Sequence, residues 1–167
     1  IMEAAQSVFG PEGADIVGGH TSLGAELTLG FTVTGLSDSL PVTHARARPG
    51  DRLILTKPLG TGVILAAEMA GRAPGRVVAG ALASMNRPQG AAARLLAPVA
   101  HAMTDVTGFG LAGHLLSILD ASGVAARLTL KSVQILPGAA DLAQAGEGSS
   151  LLPANRQAMA RMSGADG

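Results

Sequence analysis

Residues 103–114 read MTDVTGFGLAGH, so an acidic residue stands just before a glycine-rich turn. The residues from His101 to Val106 predict a strand, and a helix is predicted from about Leu111 to Ala121. This helix carries an apolar stripe formed by Leu111, Leu115, Ile118 and Leu119. Gly123 suits the left-handed position that ends such a helix. The segment is therefore predicted as strand, turn and helix, with Asp105 at the end of the strand.

The turn has the features of an anion-binding site. A glycine-rich turn into a helix offers backbone N–H groups and the positive end of the helix dipole to an anion. A carboxylate at Asp105 could hold the magnesium ion that accompanies a polyphosphate. Thr104 and Thr107 could donate hydrogen bonds to that carboxylate or to phosphate oxygens, or satisfy only local backbone groups. A purely structural alternative is that Asp105 caps the turn and the glycines supply positive φ.

The composition favours an α/β or α+β domain. The chain is 47% hydrophobic but only 2% aromatic and contains 23 glycines, so its core has to be built from closely packed aliphatic side chains. A β-sandwich rich in Tyr and Trp does not fit. Hydrophobic periodicity predicts further strands at 15–17, 26–34, 51–57 and 124–131, and helices at 62–70, 75–86, 89–97, 137–145 and 153–162.

Charge and cysteine content argue against several classes of function. Twelve basic residues balance twelve acidic ones, so no long-range field draws in nucleic acid or an anionic membrane. There is no Cys for a disulfide or a thiol nucleophile. The best apolar run, 62–70, is interrupted by Glu68 and is far shorter than the roughly 20 residues that cross a bilayer. A zinc site is not expected, because paired ligand spacing is absent from His20, His44, His101 and His114.

The chain is predicted to contain two regions joined by a linker. Residues 37–49 lose their periodicity and gather Ser, Pro, Arg and Gly, which are typical of linkers. Residues 1–36 read as the end of a helix and two strands, and residues 50–167 as a second domain. The first nine residues resemble the last turns of an amphipathic helix, which predicts a chain that begins inside a larger protein. These residues lack the basic start and the uninterrupted apolar run of a signal peptide, which favours the cytoplasm.

Several stretches resemble the selenophosphate synthetases (selenide, water dikinases), whose superfamily also contains aminoimidazole ribonucleotide synthetase. The segment from Thr104 to His114 matches the family motif almost residue for residue. Other similar stretches follow in the family's order: Gly18-Gly19-His20-Thr21, Leu55 to Val63, Met85-Asn86-Arg87, and Leu136-Pro137-Gly138 with Pro153-Ala154-Asn155-Arg156. Together they cover nearly all of the chain from Ile16 to Arg156.

The resemblance implies an α+β fold, namely the C-terminal domain of the aminoimidazole ribonucleotide synthetase-like fold. Its helices pack on a mixed sheet, and remnant strands of the N-terminal ATP-binding domain precede it. Asp105 matches the family's magnesium-ligating aspartate. The residues that match its nucleotide-contacting turn, near a dimer interface, are Gly18, Gly19, His20 and Thr21; their structural alternative is a tight turn between strands. The family uses ATP, selenide and water, with Mg²⁺, to make selenophosphate, AMP and orthophosphate, and a homodimer is expected.

The chain also departs from the family pattern. In the family, a mobile loop with Cys or selenocysteine, a catalytic lysine and further aspartates lie before the position of Ile1, so no catalytic residue is assigned here. A further segment of the family continues beyond Gly167. Since phosphoryl transfer needs several metal ligands and cations together, this chain alone is expected to be inactive.

Other roles remain open at this point. Lys57 is expected to be a surface or structural residue, and His114 a packed or capped histidine. The alternatives for the protein are a superfamily relative that acts on another small molecule, such as thiamine phosphate or a purine intermediate, and a non-catalytic domain that stabilises a dimer.

Overall fold

The chain divides into two compact units, Ile1–Pro41 and Val42–Gly167. The structure, a computed structural model, describes residues 1–164. The boundary between the units lies inside the predicted linker, 37–49. The last three residues of the predicted domain 50–167 lie outside the described residues.

The first unit is built around one helix. Helix α1 spans Met2–Phe9 and continues into a 3₁₀ turn at Gly10–Glu12. The ring of Phe9 meets that of Phe31 edge to face, with centroids 5.2 Å apart, a favourable geometry for two aromatic rings. This contact ties the helix to the extended chain that follows it.

The second unit contains every helix predicted after the linker. Their bounds lie within three residues of the predicted ones: α2 Thr61–Met69, α3 Gly75–Asn86, α4 Gly90–Leu96, α5 Gly110–Ser122, α6 Ala139–Gln144 and α7 Leu152–Met159. A 3₁₀ turn also forms at Leu130–Ser132. Helix α5 ends at Gly123, whose φ of 65° confirms the predicted left-handed position.

A small core forms where α2, α3 and α6 meet. It consists of Ile64, Ala67, Ala81, Leu136, Ala139 and Leu142. Gly60, at the start of α2, has a φ of 121°, and a Cβ there would lie 2.5 Å from the Cβ of Ala139. Only glycine permits both this backbone conformation and this close approach.

The mixed sheet that the sequence predicts is not formed in residues 1–164. The only β-bridge there is an isolated parallel one from Leu59 to Ile135. The segments at 15–17, 26–34, 51–57, 101–106 and 124–131 therefore do not appear as strands. Alternating apolar residues favour an extended backbone, but a strand exists only when a neighbour completes its ladder of hydrogen bonds. Accordingly, apolar side chains of these segments stay exposed, among them Val17, Leu27, Val33 and Ile54.

Lys57 has the structural role expected of it. Its Nζ donates hydrogen bonds to the carbonyl oxygens of Ser84 at 2.7 Å and Arg87 at 2.6 Å. These carbonyls close the C-terminal end of α3, where the helix dipole favours a cation. Lys57 thus caps α3.

Candidate functional site

Asp105 lies on the surface just before the glycine-rich turn that begins α5. Residues 102–106 have no regular secondary structure, and the turn at Thr107 to Phe109 leads directly into the helix. The Asp105 side chain is exposed, and within residues 1–164 no hydrogen bond or ion pair engages its carboxylate. Gly110 has a φ of 72°, so the glycine at this position supplies the left-handed conformation that the chain needs to enter the helix.

His114 reaches back from the second turn of α5 to both threonines that flank Asp105. Its Nε2 accepts a hydrogen bond from the backbone N–H of Thr107 at 3.1 Å and lies 2.9 Å from the hydroxyl oxygen of the same residue. Its Nδ1 lies 3.5 Å from the hydroxyl oxygen of Thr104. One half-buried ring therefore connects the two sides of the Asp105 loop.

These contacts fix the tautomer of His114. A ring nitrogen that accepts from a backbone N–H carries no hydrogen, so a neutral His114 has its hydrogen on Nδ1. The Nδ1–H then points to the Thr104 hydroxyl, which itself donates to the carbonyl oxygen of Asp105 at 2.9 Å. A chain of hydrogen bonds thus runs from α5 to the backbone of Asp105.

Helix α7 holds the other side of the turn. Asn155 Nδ2 donates a hydrogen bond to the carbonyl oxygen of Gly108 at 2.9 Å. A Cβ added to Gly108 would lie 2.7 Å from Leu151 Cδ1, so the turn and α7 pack closely. Arg161 adds a bidentate pair with Asp120 of α5, at 2.8 and 2.6 Å, and this hydrogen bonding lowers the pKa of the Asp120 carboxyl.

Two backbone N–H groups of the turn are already used inside the protein. The N–H of Thr107 donates to His114, and that of Gly110 donates to the carbonyl oxygen of Thr107 at 3.0 Å. An anion at this turn must therefore use other donors. The first N–H groups of α5 are suitable, because the start of a helix leaves them without intrahelical acceptors.

The four residues of the predicted nucleotide turn lie in the first unit, whereas Asp105 lies in the second. Gly18, Gly19, His20 and Thr21 are exposed and form no turn, so the tight turn considered as their structural alternative is absent at these residues. A Cβ at Gly18 or Gly19 would meet nothing within 4 Å. No contact within residues 1–164 requires glycine there, and the contact of these four residues with a nucleotide stays a prediction.

The described residues fit a magnesium ion only in part. Among residues 1–164, no group of three or more His, Asp or Glu side chains is arranged to hold a metal. Mg²⁺ is, however, commonly bound by one or two protein carboxylates together with substrate phosphates and water. Asp105 therefore fits as one ligand, and the others have to come from a nucleotide or from other parts of the protein.

Sequence reasoning did not foresee how the turn is held. The sequence predicts only that His114 is packed or capped, and it does not indicate that Thr104 and Thr107 are its partners. Asn155 belonged to a stretch that resembles the family, but no role was predicted for it. The signal for His114 is its spacing, since the seventh residue after Thr107 lies one turn inside a helix that starts at Gly110.

The comparisons with known proteins agree on one family. Residues 48–159 match the family model for the C-terminal domain of AIR synthase related proteins. No solved structure gives a significant match. Within residues 1–164, no helix has both the length and the apolar character needed to span a membrane.

Curated relatives carry the name selenide, water dikinase. One from Geobacter metallireducens is 43% identical over 87% of this chain and 43% of its own length. One from Nitratidesulfovibrio vulgaris is 40% identical over the same shares, and one from Aeromonas hydrophila is 38% identical over 81% of this chain and 40% of its own length. The chain thus spans less than half the length of these relatives. Since the family model covers well over half of the chain, the chain belongs to the AIR synthase related proteins and carries their C-terminal domain.

Proposed function

We propose that this chain is part of a selenide, water dikinase that makes selenophosphate, AMP and orthophosphate from ATP, selenide and water. Relatives 37% to 43% identical over most of the chain carry that name, which supports the substrates ATP and selenide. The observation that carries the proposal is the Asp105 carboxylate, which is exposed and unengaged within residues 1–164 beside a glycine-rich helix start.

In this enzyme Asp105 supplies one oxygen ligand to Mg²⁺, and the metal neutralises charge on the nucleotide phosphates. The start of α5 donates backbone N–H groups to phosphate oxygens. Gly18, Gly19, His20 and Thr21 contact the nucleotide, and their exposed, unhindered backbone supports close approach of a ligand. The nucleophile and the catalytic lysine belong to other parts of the full-length protein.

We further propose that the exposed apolar segments are covered in the full-length protein. The extended segments with exposed apolar side chains, including Leu27, Leu29, Phe31 and Val33, pair with further chain to form the mixed sheet and the interface of a homodimer. The full-length enzyme works in the cytoplasm, where ATP is supplied. Neither nucleic acid nor a membrane takes part, consistent with the balanced charge of the chain.

The test is an assay of the full-length protein with ATP, Mg²⁺ and selenide. We expect AMP and orthophosphate to appear together, only when selenide is present. Asp105→Asn keeps the size of the side chain but removes the charge that binds the metal, so this variant is expected to lose most of the activity. Asp141→Asn is the matched control, because Asp141 is also an exposed carboxylate but lies on a different helix, α6.

Each outcome has a distinct meaning. Full activity of the Asp105→Asn variant would show that Asp105 is not a ligand of the metal. If the rate of ATP turnover does not depend on selenide but rises with another small molecule, the protein is a superfamily relative with a different substrate. A full-length protein that binds no nucleotide would indicate a non-catalytic domain instead.

A further inference from the structure

We propose that His114 is a positioning residue for the magnesium site. Its ring holds the loop that carries Asp105, and it accepts the Thr107 hydroxyl hydrogen, which then cannot be donated to a ligand. The inference rests on the proposed function, since it concerns a metal-bound polyphosphate at this turn. It deepens that function by assigning roles to His114 and Thr107 that the sequence left open.

His114 is well placed to order the loop because its own position is set by α5. It lies in the second turn of a helix of 13 residues, is half-buried, and its ring centroid lies 6.1 Å from that of Phe109. From there the ring contacts residues on both sides of Asp105, namely Thr104 and Thr107. Loss of the ring therefore removes one contact on each side of Asp105 in a single step.

The contacts at Nε2 limit what the Thr107 hydroxyl can do. Since Nε2 accepts the Thr107 backbone N–H, it has no hydrogen to give, so the hydroxyl 2.9 Å away can bond to it only as a second donor that shares the Nε2 lone pair. A hydroxyl has only one hydrogen, so the Thr107 oxygen can then only accept or coordinate. A phosphate oxygen, which itself only accepts, gains no hydrogen bond from it.

In this arrangement the Thr107 hydroxyl suits a metal or a metal-bound water better than it suits a phosphate oxygen. Its oxygen lone pairs suit a water molecule bound to Mg²⁺, which donates, or the metal itself. On the other side of the loop, Thr104 accepts from His114 Nδ1–H and donates to the Asp105 carbonyl oxygen at 2.9 Å, which steadies the backbone that carries the carboxylate. Such supporting contacts commonly set the affinity of a metal site.

The experiment compares two substitutions of His114 in the full-length protein. His114→Gln keeps an acceptor oxygen near the place of Nε2, whereas His114→Phe keeps a planar ring without any acceptor. Three quantities are measured for each: the hydrogen-exchange rate of the Thr107 amide, the affinity for Mn²⁺ in the presence of a non-hydrolysable ATP analogue, and the Mg²⁺ dependence of AMP formation.

We expect His114→Phe to speed exchange of the Thr107 amide and to weaken Mn²⁺ binding about tenfold. His114→Gln is expected to stay within about threefold of the unaltered protein in both measurements, because it restores the acceptor. Unchanged Mn²⁺ affinity in folded His114→Phe would overturn the inference. So would equal damage by the two substitutions, since that result indicates a packing role alone.

Two further arms keep the test decisive. If His114→Phe does not fold, Thr107→Val and Thr107→Ser replace it: loss of the hydroxyl in Val has to weaken Mn²⁺ binding while Ser preserves it, and equal affinities contradict the inference. If the unaltered protein makes no AMP from ATP and selenide, the proposed function fails, while the exchange and Mn²⁺ measurements still decide the role of His114.

Discussion

Asn155 provides a quantitative test of whether α7 holds the glycine-rich turn in place. Asn155→Ala removes the hydrogen bond from Nδ2 to the Gly108 carbonyl oxygen, which is 2.9 Å long and lies at the surface. An intramolecular hydrogen bond of this kind contributes about 0.5 to 1.5 kcal/mol. Because water can reach the freed carbonyl, the lower half of this range applies, and it corresponds to about a two- to fivefold change in an equilibrium constant.

The ordered turn is the form that binds a metal and a nucleotide in the proposed enzyme. We therefore expect the Mg²⁺ concentration that gives half-maximal AMP formation to rise about two- to fivefold in Asn155→Ala. The assay is the initial rate of AMP formation by the full-length protein across a Mg²⁺ titration. Chemical denaturation of the same variant shows whether global stability changes as well.

Gln157→Ala is the matched control for this prediction. Gln157 lies on the same helix, is exposed, and has no side-chain hydrogen bond within residues 1–164. The control is expected to leave the Mg²⁺ dependence unchanged. The reasoning is refuted if Asn155→Ala has the same Mg²⁺ dependence as the unaltered protein, or if both substitutions shift it equally.

Three further predictions concern stability, each measured in the full-length protein. The pKa of Asp51 lies below its ordinary value of 3.8, mainly because the backbone N–H of Arg48 donates to it and also because His101 pairs with it. The charged Asp51 therefore stabilises the folded protein above its ordinary pKa, and this stabilisation is lost as the pH falls through the lowered pKa. The free energy of unfolding should fall more steeply with acid in the unaltered protein than in Asp51→Asn, and identical acid curves would contradict this. Lys57→Met should lower the free energy of unfolding by about 1 to 2 kcal/mol, because the Ser84 and Arg87 carbonyls lose a charged donor; an unchanged denaturation midpoint would remove its capping role. Gly60→Ala should lower the free energy of unfolding by about 2 to 4 kcal/mol, because the alanine would have a positive φ and its Cβ would contact Ala139. Gly75→Ala is the control and should change stability little, because a Cβ there meets nothing within 4 Å. Equal denaturation midpoints of the two variants would show that α2 and α6 do not approach closely at Gly60.

The helices could be predicted from sequence because their signals are local. The bounds of α3, Gly75–Asn86, follow from its apolar spacing and from the prolines on either side of it, Pro74 and Pro88. The left-handed end of α5 at Gly123 follows from glycine itself. Such features depend on residues within a few positions of each other, so a short stretch of sequence is enough to predict them.

The strands could not be predicted in the same way. Alternation at 26–34 favours an extended backbone, and the backbone there is free of helix, but a strand also needs a partner that supplies the opposite row of hydrogen bonds. Local pattern says nothing about where such a partner comes from. The predicted mixed sheet therefore depends on long-range pairing, and within residues 1–164 only the bridge from Leu59 to Ile135 forms.

The candidate site shows the same division between local and long-range signals. Asp105 and its glycine-rich turn are recognisable from twelve consecutive residues, 103–114. The contact of Asn155 with Gly108 joins residues 47 positions apart, and the contacts of Lys57 with the end of α3 join residues 27 and 30 positions apart. No periodicity reports such contacts, because they arise from the packing of α7 on α5 and of the extended segment 51–57 beside α3.

Direct measurement of metal binding is the sharpest test of the central claim that Asp105 is a ligand of the nucleotide-bound metal. The number and affinity of Mn²⁺ ions bound to the full-length protein with a non-hydrolysable ATP analogue can be compared between the unaltered protein and Asp105→Asn. We predict that the substitution removes one ion from the complex or weakens its binding at least about tenfold, as expected when a charged ligand is lost. Equal number and equal affinity of bound Mn²⁺ in the two proteins would contradict the claim.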